Sequence, residues 1–166
     1  MSTETRMKLK PAATTQSIVD VVRELGPAFR ERTADHDETE TFVAENYAAL
    51  KERRFFAAAI PEELGGGGVS HSEMCDALRV MAHYCSSTAL AHSMHQHLLA
   101  ANIWKYRKGQ GAEEMLKKVA QGQPVLVSTG ASDWLESNGE MERTDGGFLV
   151  SGRKPFAMPG KGATSA

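Results

Sequence analysis

The chain has 166 residues and a net charge of −2, so its composition gives no reason to expect a nucleic-acid partner. With 41% apolar and 24% charged residues it has the make-up of a soluble globular protein, with room for one domain or one domain plus part of another. The two cysteines, Cys75 and Cys85, exclude a disulfide framework, no apolar run suits a membrane helix, and no apolar segment follows Arg6, Lys8 and Lys10, so the sequence predicts a cytoplasmic protein.

Residues 1–13 are polar and include Pro11, which predicts a flexible arm. From Thr15, the apolar Ile18, Val22, Leu25 and Phe29 recur at helical spacing and predict an amphipathic helix. Gly26-Pro27 predicts a kink or a break in it, and the charged stretch Thr33–Thr41 a solvated turn. A second helix is expected from about Thr41 to Arg54, burying Val43, Tyr47 and Leu50, with Phe55–Ile60 as a short apolar connection. Pro61 ends that run, because it lacks a backbone donor and disfavours helix at Ile60. Glycines 65–68 then permit tight backbone geometry, and Ser70 with Glu73 has the spacing of a capping box.

The third helix is expected over Ser70–Tyr84, with Met74, Ala77, Leu78 and Met81 on one face. A fourth, capped by Ser86 or Ser87, should reach about Tyr106. It places Leu90, Met94, Leu98 and Ala101 on one side and Leu99 and Ile103 on another, as a centrally buried helix would. A shorter helix from Ala112 to Ala120 ends at Gly122. After Pro124 the period changes: Val125–Ser128 reads as a strand, and Met141–Thr144 and Phe148–Ser151 flank an Asp145-Gly146-Gly147 hairpin turn. The fold class is therefore mainly α, with a helical domain over 14–123 followed by an incomplete antiparallel β region over 124–166.

Three motifs in this order resemble the acyl-CoA dehydrogenase flavoproteins: the Pro61–Ser70 stretch, the loop Ser128-Thr129-Gly130-Ala131-Ser132-Asp133, and Asp145-Gly146-Gly147-Phe148 leading to Gly152-Arg153-Lys154-Pro155-Phe156. The resemblance covers nearly all of residues 15–157. It departs at Arg54, where the family usually has glycine, and at Ala157-Met158, which replace the usual Ile-Thr/Ser. The family subunit has an N-terminal helical domain, a middle β domain and a C-terminal helical bundle, so this chain resembles the first and the start of the second.

The resemblance implies FAD as cofactor, with Ser128, Thr129 and Ser132 donating hydroxyl and backbone N–H groups to the flavin and Phe156 forming an aromatic wall. Such donors suit a ring system that gains negative charge on reduction. Taken alone the Ser-Thr-Gly-Ala-Ser run is a turn; the hairpin downstream at the family's spacing favours the flavin loop. Met158 cannot supply the hydroxyl that the family places there. His95 or His97 could line the acyl pocket, since the corresponding helix borders it in the family. His92, His95 and His97 have neither the carboxylate partners nor the His-Glu-x-x-His pattern of a metal site, so no metal is expected. The glycine run lacks the lysine of a phosphate loop.

The implied function is that of an FAD-dependent oxidoreductase of fatty acid metabolism, catalysing α,β-dehydrogenation of an acyl-CoA thioester, passing electrons to a carrier protein and working as a homo-oligomer, dimer or tetramer. The family's catalytic base comes from the C-terminal bundle, so no catalytic residue is assigned and the 166 residues are expected to be inactive alone. A flavin-dependent monooxygenase of the same fold remains an alternative, as does a non-catalytic helical interaction module.

Overall fold

The computed structural model describes residues 16–129, 139–152 and 157–158. Among them are five helices, α1 (Ile18–Thr39), α2 (Ala44–Glu52), α3 (His71–Tyr84), α4 (Ser86–Arg107) and α5 (Glu113–Gly122). Four short strands follow, β1 (Ser128–Thr129), β2 (Gly139–Thr144), β3 (Gly147–Gly152) and β4 (Ala157–Met158). The expected mainly α architecture with the start of an antiparallel β region is the one observed, β1 pairing with β4 and β2 with β3. The arm expected at 1–13 lies outside the described residues. Among the described residues, no helix is long and apolar enough to cross a membrane.

Helix α1 runs unbroken through Pro27 and through most of the charged stretch expected to be a turn. One proline removes a single backbone donor, and the charged residues that follow are adequate helix formers whose side chains stay in water. The helix stops where Glu40 turns left-handed, at φ 52°. Gly26 is a packing residue rather than a breaker: a Cβ there would lie 2.3 Å from the Tyr84 ring, so α1 and α3 approach closely at this point.

Helix α2 is shorter at both ends than expected. Just after it, Arg54 adopts φ +54°, a conformation glycine enters freely and other residues enter at a cost. That backbone requirement is the physical reason for a glycine at this position. Arg54 offsets the cost by donating from Nη2 to the carbonyls of Gly65 (3.1 Å) and Ala120 (2.9 Å).

The segment from Phe55 to Val69 joins two cores. Phe55 and Phe56 are fully buried with Val22, Phe29, Leu50 and Met81; Ala57, Ile60 and Leu64 pack with Leu99, Ile103, Leu116 and Val119. Each large side chain buried in this way stabilises the fold by roughly 1.5–3 kcal/mol. The glycines then fold back: Gly67 N donates to Ala57 O (3.2 Å), Gly68 N to Ile60 O (2.9 Å) and Val69 N to Ala58 O (2.9 Å).

The capping box of α3 is present, with Glu73 N donating to Ser70 Oγ (3.3 Å) and Ser70 N to Glu73 Oε2 (3.0 Å). The α4 cap is Cys85, not Ser86 or Ser87: its Sγ accepts from Thr88 N (3.4 Å) and Thr88 Oγ1 (3.0 Å). The same corner holds a polar chain across three helices. Arg32 donates twice to Asn46 Oδ1 (3.1 and 2.7 Å), and Asn46 Nδ2 donates to Thr88 Oγ1 (2.8 Å). Asn46 and Thr88 are fully buried, so this chain satisfies groups that would otherwise be costly inside the fold.

The buried face of α4 also differs from expectation. Leu90 is 55% exposed, whereas Thr88, His92, His95, Gln96, Leu99 and Ile103 face inward. Val125 is buried but unpaired in any ladder; it is apolar because it packs in the core, not because it belongs to a strand. The hairpin forms as expected around Asp145-Gly146, with Met141 opposite Val150 and Arg143 opposite Phe148.

Candidate functional site

A cavity of about 330 Å³ opens between α3 and α4. Its α4 wall includes Ser93, His97, Ala100, Trp104 and Arg107, which recur at alternating four- and three-residue steps and therefore share one helical stripe. The α3 wall is His71, Met74, Cys75 and Leu78, while Ala59 and Val69 come from the segment joining the two cores. Most of the lining is apolar, with a few convergent polar groups, as in small-molecule sites generally. On α3, His71 Nε2 lies 3.7 Å from Cys75 Sγ, and both side chains are exposed.

The two histidines assigned to a pocket occupy different environments. His97 is exposed, lines the cavity, and has its Nε2 3.4 Å from Ser128 Oγ. That separation is at the long end for a hydrogen bond, so both groups retain capacity for other partners. His95 is fully buried, with both ring nitrogens engaged: Nε2–H donates to Phe56 O (3.0 Å) and Nδ1 accepts from Leu126 N (3.0 Å). These two partners define its tautomer. Burial pushes its pKa down to about 4, against the opposing effect of the Phe56 carbonyl.

His92 is likewise fully buried, set edge-on to Phe55 and Phe56 at centroid distances of 5.0 and 4.8 Å. Burial, and then the charge of His95, push its pKa well down, so the inner face of α4 carries neutral imidazoles at neutral pH. Among the described residues, no group of three or more His, Cys, Asp or Glu side chains could hold a metal ion.

Ser128, one of the residues assigned to the flavin, is half-buried at the start of β1 and pairs with Met158; Thr129 pairs with Ala157. Residues 128–129 and 157–158 thus meet in one ladder, whose Ser128 lies against the cavity-lining His97. A half-buried hydroxyl and an adjacent imidazole have the donor chemistry needed at the edge of a flavin, so the described residues fit that group. Ser132 and Phe156 lie outside the described residues.

Sequence reasoning missed Gln96, Trp104, Arg107 and the α3 wall. The signal for Trp104 and Arg107 was present as the stripe 93–97–100–104–107, but it consists of Ser, His, Ala, Trp and Arg, so counting aliphatic residues passes over it.

Residues 13–123 match the family model for the acyl-CoA dehydrogenase N-terminal domain. An amino sugar nitrososynthase of Streptomyces rubradiris is 30% identical over 136 residues, which are 77% of this chain and 32% of that protein. The benzylmalonyl-CoA dehydrogenase of Aromatoleum aromaticum is 28% identical over 125 residues, 72% of this chain and 33% of the relative. The crystal structure of a nitrososynthase from Micromonospora carbonacea var. africana superposes with a TM-score of 0.67 at 26% identity, over 90% of this chain and 39% of that one. The chain thus spans about a third of the length of the curated relatives it matches. A domain match over most of the chain, with the same fold in a solved relative, makes this chain a member of the acyl-CoA dehydrogenase family, carrying its N-terminal domain.

Proposed function

We propose that the chain supplies the substrate-facing helical wall of an FAD-dependent oxygenase-type oxidoreductase. The observation that carries this reading is the meeting of Ser128 with His97 at the cavity between α3 and α4. One residue was assigned to the cofactor and the other to the substrate, and they lie side by side. Two of the relatives named above are nitrososynthases, an activity that puts oxygen on nitrogen. The cavity also presents His71, Gln96, His97 and Arg107, more polar chemistry than a fatty acyl chain needs.

Bound FAD would supply electron transfer and, when reduced, reaction with oxygen. Ser128 would orient the flavin edge through its hydroxyl. His97 would accept or return a proton at Nε2, and Met74, Leu78 and Ile103 would keep water from the substrate's apolar part. Thr129, Ser132 and Phe156 complete the proposed cofactor contacts, and the whole protein is proposed to be a homo-oligomer.

A second reading, α,β-dehydrogenation of an acyl-CoA with electrons leaving to a carrier protein, is favoured by the benzylmalonyl-CoA dehydrogenase relative. The two separate cleanly in the full product of the gene. Supplied with reduced flavin, it should consume oxygen faster when an amine- or hydroxyl-bearing substrate is present. Anaerobic bleaching of its oxidised flavin by an acyl-CoA, without substrate-stimulated oxygen uptake, would instead establish the dehydrogenase.

A further inference from the structure

We infer that Arg107 and Trp104, near the end of α4, form an anchor for a carboxylate on an apolar or aromatic body, bound in the cavity between α3 and α4. The inference rests on the reading of that cavity as the substrate-facing pocket and names the class of substrate it would take. Among the described residues, Arg107 is the one permanently charged side chain lining the cavity, and no Asp or Glu lines it. No acid occurs between Asp76 and Glu113, so α4 has none of its own to neutralise the arginine. The next acids along the chain, Glu113 and Glu114 on α5, lie 2.7 and 3.8 Å from Lys117 Nζ instead. On the same cavity wall Trp104 is 56% exposed, a large apolar surface that the core does not use.

Arginine suits this task because its planar fork can meet both oxygens of a carboxylate at once. The carbonyls at a helix C-terminus ordinarily disfavour an anion. Here Trp104 O accepts from Lys108 N (3.1 Å), Lys105 O from Gln110 N (2.9 Å) and Tyr106 O from Gly109 N (2.9 Å), which weakens that negative end. His97 and Arg107 stand ten residues apart on one stripe of α4, about 15 Å along its axis. A substrate held by its carboxylate at Arg107 would lie along Trp104 and Ala100, with its other end directed toward His97 and Ser128. Its acid group would thus be remote from its reacting end.

Hydrocinnamate and its neutral amide, hydrocinnamide, share a body and differ in charge. Titration calorimetry on the full product of the gene, a readout independent of flavin chemistry, should show about a three- to tenfold preference for the acid. Arg107→Gln should bring that ratio to about one with amide affinity unchanged, and Arg107→Lys should keep part of the preference. Ala100→Phe, which fills the wall between His97 and Trp104, should weaken both probes. Equal binding of the two by the wild type, or an acid preference that survives Arg107→Gln, overturns the anchor but leaves the cavity as a ligand site. Binding untouched by Ala100→Phe, or no binding of either probe, overturns the anchor and the pocket reading together.

Discussion

Replacing Gly66 by alanine is expected to destabilise the helical domain by about 3 kcal/mol or more, lowering Tm by roughly 10 °C. A Cβ at this position would lie 2.1 Å from Ile60 O and 2.4 Å from Ile60 Cβ. Neither atom is the far end of a flexible side chain. Ile60 is fully buried among Leu99, Leu116 and Val119, and its carbonyl accepts the Gly68 N–H, so it cannot retreat without opening the second core. The glycine is needed here for close backbone approach. Thermal denaturation of Gly66→Ala beside the wild type checks this, and a Tm within a few degrees would show that the chain can relax at this point.

Acid is expected to unfold the protein through His92 and His95. An exposed histidine titrates near 6.5; His95 in the fold titrates at about 4, and His92 is shifted in the same direction. Above pH 6.5 both residues are neutral in folded and unfolded chains alike, and their environment costs nothing. As pH falls below 6.5 the unfolded chain takes up protons that the fold refuses, so stability declines until the folded state protonates too. Each such histidine removes about 1.4 kcal/mol per pH unit within that window, and His95 alone removes on the order of 3 kcal/mol by pH 4. Protonating His95 at Nδ1 also removes the acceptor of the Leu126 N–H, which ties α4 to the chain leading into β1. Urea denaturation at pH 7.5, 6.5, 5.5 and 4.5 should show a plateau followed by a steep decline. A flat profile from pH 6.5 to 4.5 would contradict the assignment of both rings as neutral core groups.

Much of the architecture was legible wherever local chemistry decides structure. Ser70 and Glu73 announce a helix start because a short hydroxyl and a carboxylate three residues on can satisfy each other's backbone N–H groups, and they do. Asp145-Gly146 announces the hairpin for an equally local reason, and Gly146 takes the positive φ the turn requires, at 91°. Pro61 and the glycines mark the join between the two cores.

Tertiary facts were less legible. Helix α4 buries two histidines and a glutamine on the face that touches Phe55 and Phe56, while Leu90 remains in solvent, because partners for the polar groups come from distant carbonyls and rings. Helix α1 carries Gly26 against Tyr84 of α3, so the Gly-Pro pair that reads as a breaker serves packing, a contact that no local rule contains. The approach of Ser128 to His97 joins residues 31 apart in sequence. Each could be named alone from the family resemblance, but their adjacency required the fold.

The proposal turns on whether that adjacency is the edge of a flavin site. Titrating FAD into the full product of the gene, followed by quenching of flavin fluorescence, tests it most directly when wild type, Ser128→Ala and His97→Ala are compared. Loss of one hydroxyl contact should weaken FAD binding about three- to tenfold in Ser128→Ala, with a smaller loss in His97→Ala, while both variants keep the wild-type Tm within a few degrees. Unchanged FAD affinity in both variants would contradict the proposal that Ser128 and His97 stand at the cofactor.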